Sequence, residues 1–238
     1  MNPEIEKDLA LLRELETSIK LLQTGLREVQ GIGGGNSFYH VALLTLANGF
    51  ERLMKVIICL GIHERTKQYP IQSPWSAGKE GHNLVSLLDT IIREYFPDDY
   101  VTKIPAAQED VGHIRTNTRL RELLGLLSDF GQAARYYNLD VVVGRTPTTD
   151  DPESTWKKLE LAILQEIPDY EALLQNDPDL SQIYKHLNQC IVSEMERLAR
   201  ALSRLLTIGK LGQKAKQFSS FVYPFLMLRD DQLGNVKY

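Results

Sequence analysis

Apolar residues recur every three or four positions along most of the chain. Ile5, Leu9, Leu12, Leu15, Ile19, Leu22, Leu26 and Val29 follow steps of 4, 3, 3, 4, 3, 4 and 3, which lays one long stripe on a single helix face. The stripe predicts a first helix from about Pro3 to Val29. It is read as a bundle seam rather than a coiled-coil seam, because regular flanking charges are missing. Phe38, Val41, Leu44, Ala47, Phe50, Leu53, Met54 and Ile57 keep the same spacing in a second helix, capped by Asn36 or Ser37 and ending near Ile62. Gly31-Ile32-Gly33-Gly34-Gly35 between them reads as a flexible hinge. A loop from Glu64 to Gly81, broken by Pro70, Pro74 and Gly78, leads to a third helix over Leu84 to Tyr95. A fourth is expected from about Val111 to Tyr137, with Ile114, Leu120, Leu123, Leu124, Leu127, Phe130 and Ala134 inward.

One helix-starting device recurs as Asn2-Pro3-Glu4, Asp151-Pro152-Glu153 and Asp177-Pro178-Asp179. The Asn or Asp caps orphan amides, Pro sits where its missing N–H costs nothing, and the acid faces the positive end of the helix dipole. Two further helices are therefore expected, near Pro152 to Leu174 and Pro178 to Ile208. Val141-Val142-Val143 is a candidate short strand without a patterned partner. Lys214 to Leu228 reads as partly helical, interrupted by Pro224. The fold class is all-α: an antiparallel up-and-down helical bundle over 1–143, a linker over 144–155, and additional C-terminal helices over 156–238 that stand apart or pack into the same domain.

The 238 residues are 43% hydrophobic and 24% charged, an ordinary globular composition. Lys plus Arg is 27 and Asp plus Glu is 31, a net charge of −4, which excludes a histone-like polycation but not a local basic patch. Two cysteines, Cys59 and Cys190, are too few for a disulfide framework. With no basic and apolar leader at the start and no apolar run near a membrane span, the expectation is a cytoplasmic protein without membrane attachment.

Three short patterns follow one another in order. Phe50-Glu51-Arg52-Leu53-Met54-Lys55 lies inside an apolar helix. Gly81-His82-Asn83-Leu84, with Leu87-Leu88, opens the next helix after a loop. Ala133-Ala134-Arg135-Tyr136 stands near the end of a later one. Each has a local reading. Glu51 and Lys55 are spaced as a helical ion pair. His82 and Asn83 stand at a helix entrance, where they cap or pack, or contact a ligand. Arg135 and Tyr136 satisfy terminal carbonyls or project toward a phosphate or a base.

Together the patterns, spanning roughly Ser37 to Asn138, resemble the HEPN superfamily of helical-bundle, nucleotide- or RNA-associated domains. The resemblance implies an up-and-down bundle and a homodimer. Many members are metal-independent ribonucleases of toxin–antitoxin or phage-defence systems, with a signature of Arg followed by His after four to six residues. None of His40, His63, His82, His113 and His186 has such an Arg upstream. The nearest form, Gly35-Asn36-Ser37-Phe38-Tyr39-His40, has Gly in place of the cation. The departure points to a non-catalytic member that binds RNA, a nucleotide or a partner protein.

A second charge feature lies nearer the C-terminus. Arg197, Arg200, Arg204, Lys210, Lys214, Lys216 and Arg229 occur in an interval without an acid. Arg197, Arg200 and Arg204 share one helix face opposite Leu198, Leu202 and Leu205, so they are expected to face solvent, as an ordinary hydrated face or a phosphate-binding strip. The candidate ligand or nucleic-acid contacts are therefore His82, Asn83, Arg135, Tyr136, Arg197, Arg200 and Arg204. Phe218, Phe221, Tyr223 and Phe225 are read as core or interface, docked on the bundle or on a second copy. Cys59 and His63 share a helix face, but nothing completes a metal site, so no metal or cofactor is expected. Asp98-Asp99 and Asp150-Asp151 are read as turn formers and caps. Two alternatives accompany the binding reading. One is a divergent metal-independent ribonuclease using His40, His82 or His113, the last with Arg115, Arg119 and Arg121 nearby. The other is a structural dimerisation scaffold.

Overall fold

The structure, a computed structural model, describes residues 3–75, 81–168, 170 and 180–238. It is all-α, and no strand occurs among the described residues. The long elements are α1 (Pro3–Gln30), α2 (His40–Thr66), α3 (Leu84–Tyr95), α4 (Asp98–Lys103), α5 (Pro105–Thr116) and α6 (Thr118–Gln132). They are followed by α7 (Tyr137–Val142), α8 (Pro152–Leu164), α9 (Ser181–Ile208), α10 (Gly212–Gln217) and α11 (Tyr223–Leu226). No described helix is long and apolar enough to cross a membrane.

The α1 stripe is buried from Leu15 onward, at Leu15, Ile19, Leu22, Leu26 and Val29, whereas Ile5 and Leu9 stay exposed. It packs along α2, and two glycines set the closeness of that pair. A Cβ on Gly25 would stand 2.6 Å from Leu46 Cγ, and one on Gly49 would stand 2.9 Å from Leu22 Cγ. Each helix thus lends a leucine to a bare patch of the other, an arrangement that only a residue without a side chain permits. Helix α9 packs on α1, α2, α5 and α8, and one hydrophobic cluster runs from Leu15 through Phe50, Leu88 and Phe130 to Leu202 and Phe225.

Several boundaries differ from the sequence reading, each for a local reason. Asn36 does not cap the second helix. Its backbone pairs both ways with Gly33 (2.8 and 2.9 Å), and its side chain bonds Gly31 O and Phe38 N. The glycine run is therefore a hydrogen-bonded turn rather than a loose hinge, and α2 starts at His40. The expected fourth helix is divided at Asn117, whose amide ends α5 on His113 O and whose Oδ1 accepts Leu120 N (2.8 Å) to begin α6. Val141 and Val142 belong to the exposed helix α7, not to a strand. Asp151 caps α8 through Glu153 N and Ser154 N, as expected, though α8 ends at Leu164. Pro224 lies in the first turn of α11 and so opens that helix instead of interrupting one. Phe218, Val222 and Phe225 are buried in the chain's own core, while Tyr223 and Met227 are exposed. Asn2, Gly78 and the Asp177-Pro178-Asp179 start lie outside the described residues.

Candidate functional site

The three sequence patterns part company in the fold. The first two meet. Glu51 and Lys55 stand one turn apart on α2 and form an ion pair of 2.7 Å. Asn83 caps α3 by accepting Ser86 N (3.0 Å), which holds the preceding His82 against α2. His82 Nδ1 lies 2.9 Å from the same Glu51 oxygen that receives Lys55. The ammonium of Lys55 also sits 4.7 Å from the ring centre of Trp75. One carboxylate thus gathers a histidine and a lysine, and the lysine in turn backs onto an indole face.

Lys55, Glu51 and Trp75 belong to the wall of a cleft of about 520 Å³ between α1, α2 and the 67–75 loop. The floor is apolar, from Ala10, Leu11, Val56 and Cys59, and the rim carries Lys7 and the Arg52–Glu14 ion pair. Such a volume, with an apolar floor and charged groups at its wall and rim, lies within the range of small-molecule sites. The loop is anchored to α1 and α10. Tyr69 donates its hydroxyl to Asp8 (2.6 Å) and packs on His63, while Lys214 bonds the same Asp8 oxygen (2.7 Å) and lies over the Tyr69 ring. Partial burial pushes the Asp8 carboxyl up, but Lys214 and Tyr69 outweigh it and leave it below the usual range. Cys59 is raised to about 11 by burial, against a smaller opposing pull from Lys55, so its sulfur stays a thiol rather than a nucleophilic thiolate.

The third pattern lies elsewhere. Arg135 stacks over its neighbour Tyr136 at 5.0 Å, its Nε is buried without a hydrogen bond, and neither residue lines the cleft.

The arginine strip does not face solvent as a unit, which corrects the sequence reading. Arg200 is only 3% exposed; it donates to Leu228 O (3.0 Å) and pairs with Asp230 (2.7 Å). Arg204 donates to Asp110 on α5 (2.8 Å), and the Nε of Arg197 is buried without a partner. The physical reason is the central place of α9, which is covered on most sides, so even its polar face meets other elements. The rest of the basic run is also engaged: Lys210 with Asp99, Lys214 with Asp8 and Glu4, and Arg229 with Asp231. Lys216 is exposed.

The three histidines considered for catalysis are dispersed. His40 packs edge-on against Phe130 at 4.7 Å. His113 Nε2 lies 3.0 Å from Glu194, whose carboxyl is pushed up by burial but drawn lower still by His113. The neighbouring Arg119 and Arg121 pair with Glu166 and Asp89. No group of three potential metal ligands occurs among the described residues.

Trp75, Tyr69, Lys7 and Arg52 were not singled out from the sequence as site residues. The one available signal was an aromatic beside each proline of a loop, Tyr69-Pro70 and Pro74-Trp75. No family model, curated protein or solved structure matches the chain.

Proposed function

We propose that the chain is a non-catalytic, HEPN-like binding protein whose α1–α2 cleft takes a nucleotide, free or as an unpaired residue of RNA. The observation that carries this reading is the meeting of Glu51 and Lys55 with Trp75 at one cleft, where Glu51 also holds His82 of the second sequence pattern. An indole beside an apolar floor offers a stacking surface for a base. Glu51 and Asn48 offer groups for a base edge, and Lys7 and Arg52 lie at the rim for a phosphate. A non-catalytic role agrees with the missing Arg-to-His signature, with the protonated Cys59 and with the separation of His40, His82 and His113. The homodimer implied by the resemblance belongs to the same proposal; the exposed apolar run Leu139, Val141, Val142 and Val143 favours it, and light scattering tests it.

The chain's own fluorescence provides the test. Of its two tryptophans, Trp156 is 3% exposed, so quenching by added ligand reports on Trp75. Nucleoside monophosphates and a short oligouridylate are expected to quench saturably. Trp75→Ala is expected to weaken binding, followed by calorimetry, by about 1–3 kcal/mol, the worth of one stacked base. A folded protein whose fluorescence and heat are unchanged by every one of these ligands would overturn the proposal.

A further inference from the structure

A second cleft, of about 670 Å³, opens where the end of α1, the 31–34 turn, the first half of α9 and the C-terminal segment meet. Its lining includes Arg27, Lys185 and Lys237 and, among the described residues, no acidic side chain. That balance is unusual in this molecule, where most cations of the C-terminal half are already paired. Lys185 and Lys237 are exposed and enter no ion pair among the described residues. The nearest carboxylate to Arg27 is Glu28 at 3.8 Å.

A different feature of the same cleft asks for a donor. Asn188 is 6% exposed and donates Nδ2 to Ile32 O (2.8 Å), which fixes which end of its amide is oxygen. Its Oδ1 is then a buried acceptor without a hydrogen bond. The wall opposite is firmly held. Gly234, at φ +75°, lies so near α9 that a Cβ would come within 2.6 Å of Gln189 O, and its amide donates to the buried Glu196. Tyr238 donates its hydroxyl to the other oxygen of Glu196 (2.7 Å).

Two exposed lysines outside any ion pair among the described residues, beside an Arg27 that pairs only at 3.8 Å with Glu28, call for an anion, and an orphan acceptor calls for an O–H or N–H group. We propose that this cleft binds a small phosphomonoester bearing a hydroxyl group, its phosphate held by Lys185, Lys237 and Arg27 and its hydroxyl donated to Asn188 Oδ1. This site is separate from the α1–α2 cleft and does not rest on the function proposed for it.

Titration calorimetry with ribose 5-phosphate, ribose and sulfate tests the assignment. Ribose 5-phosphate is expected to bind saturably, sulfate about tenfold more weakly for want of a donor, and ribose not measurably. Lys185→Gln and Lys237→Gln are each expected to weaken ribose 5-phosphate by about tenfold without changing the melting temperature. Trp75→Ala is expected to leave this binding unchanged, so failure here and failure of the nucleotide reading are distinguishable. Equal affinity for sulfate and ribose 5-phosphate, no heat with a folded protein, or indifference to both lysine substitutions would each overturn the proposal.

Discussion

Asp110 has two arginines near it and still holds its proton more tightly than an ordinary aspartate. Burial pushes its carboxyl from 3.8 to about 6, and the opposing pull of Arg204 and Arg200 is the smaller effect. Between about pH 4 and 6 the folded chain therefore keeps a proton that the unfolded chain has released. The stability this group contributes is fully present below about pH 4 and lost as pH rises through about 6. Asp8 and Asp230, whose carboxyls are held low, act in the opposite sense, so the effect must be isolated by difference. The melting temperature of the wild type minus that of Asp110→Asn is expected to fall as pH rises from about 4 to 6 and to level off above it. A flat difference would show that Asp110 titrates normally. The same residue shows why the site was only half legible in the sequence. A scan for acids between Arg197 and Arg229 finds none, yet the partners of Arg200 and Arg204 are Asp230, one residue beyond the interval, and Asp110, on another helix.

At the scale of the element, the closeness of α1 and α2 rests on glycines that helix propensity alone would replace. Alanine at Gly49 gains up to ~1 kcal/mol of helix propensity but drives a methyl into Leu22, and overpacking of that kind costs roughly 1–3 kcal/mol. Gly125 in α6 has nothing within 4 Å of an added Cβ. Urea denaturation is accordingly expected to find Gly49→Ala less stable by up to about 2 kcal/mol, and Gly125→Ala more stable by roughly 0.5–1 kcal/mol. Equal effects of the two substitutions would remove the packing account. Helix existence was readable because the period of apolar residues survives any tertiary arrangement. Helix limits were less so. Asn117 has the chemistry of a cap, but its neighbours fit a continuous helix equally well, and Asn36 spends its side chain on a turn instead of on α2. Glu51, Lys55 and His82 were legible as motif residues, while their meeting depends on the loop and α3 folding back.

Across the whole molecule, charges distant in sequence serve mainly to fasten one element to another. Arg200→Glu would place an acid beside Leu228 O and Asp230 in a site that is 3% exposed. Asp230 is itself largely exposed, so the cost is that of an uncompensated acid at the buried Arg200 position, on the order of 3–5 kcal/mol. Lys216→Glu, on the exposed surface, is expected to stay within about 0.5 kcal/mol of wild type. Thermal melting distinguishes the two, and an Arg200→Glu protein as stable as Lys216→Glu would contradict the buried clamp. A charge reversal at Arg200 consequently reports on folding before it reports on any ligand.

The pairing of Lys214 with Asp8 carries a consequence for how the molecule is made. The two residues are 206 positions apart, and Tyr69, which shapes one side of the α1–α2 cleft, hangs on the same oxygen. A ribosome adds Asp8 and Tyr69 long before it adds Lys214. The pocket's outer wall is thus latched only once Lys214 has been made, so a nascent chain halted before Lys214 emerges leaves that wall unfastened.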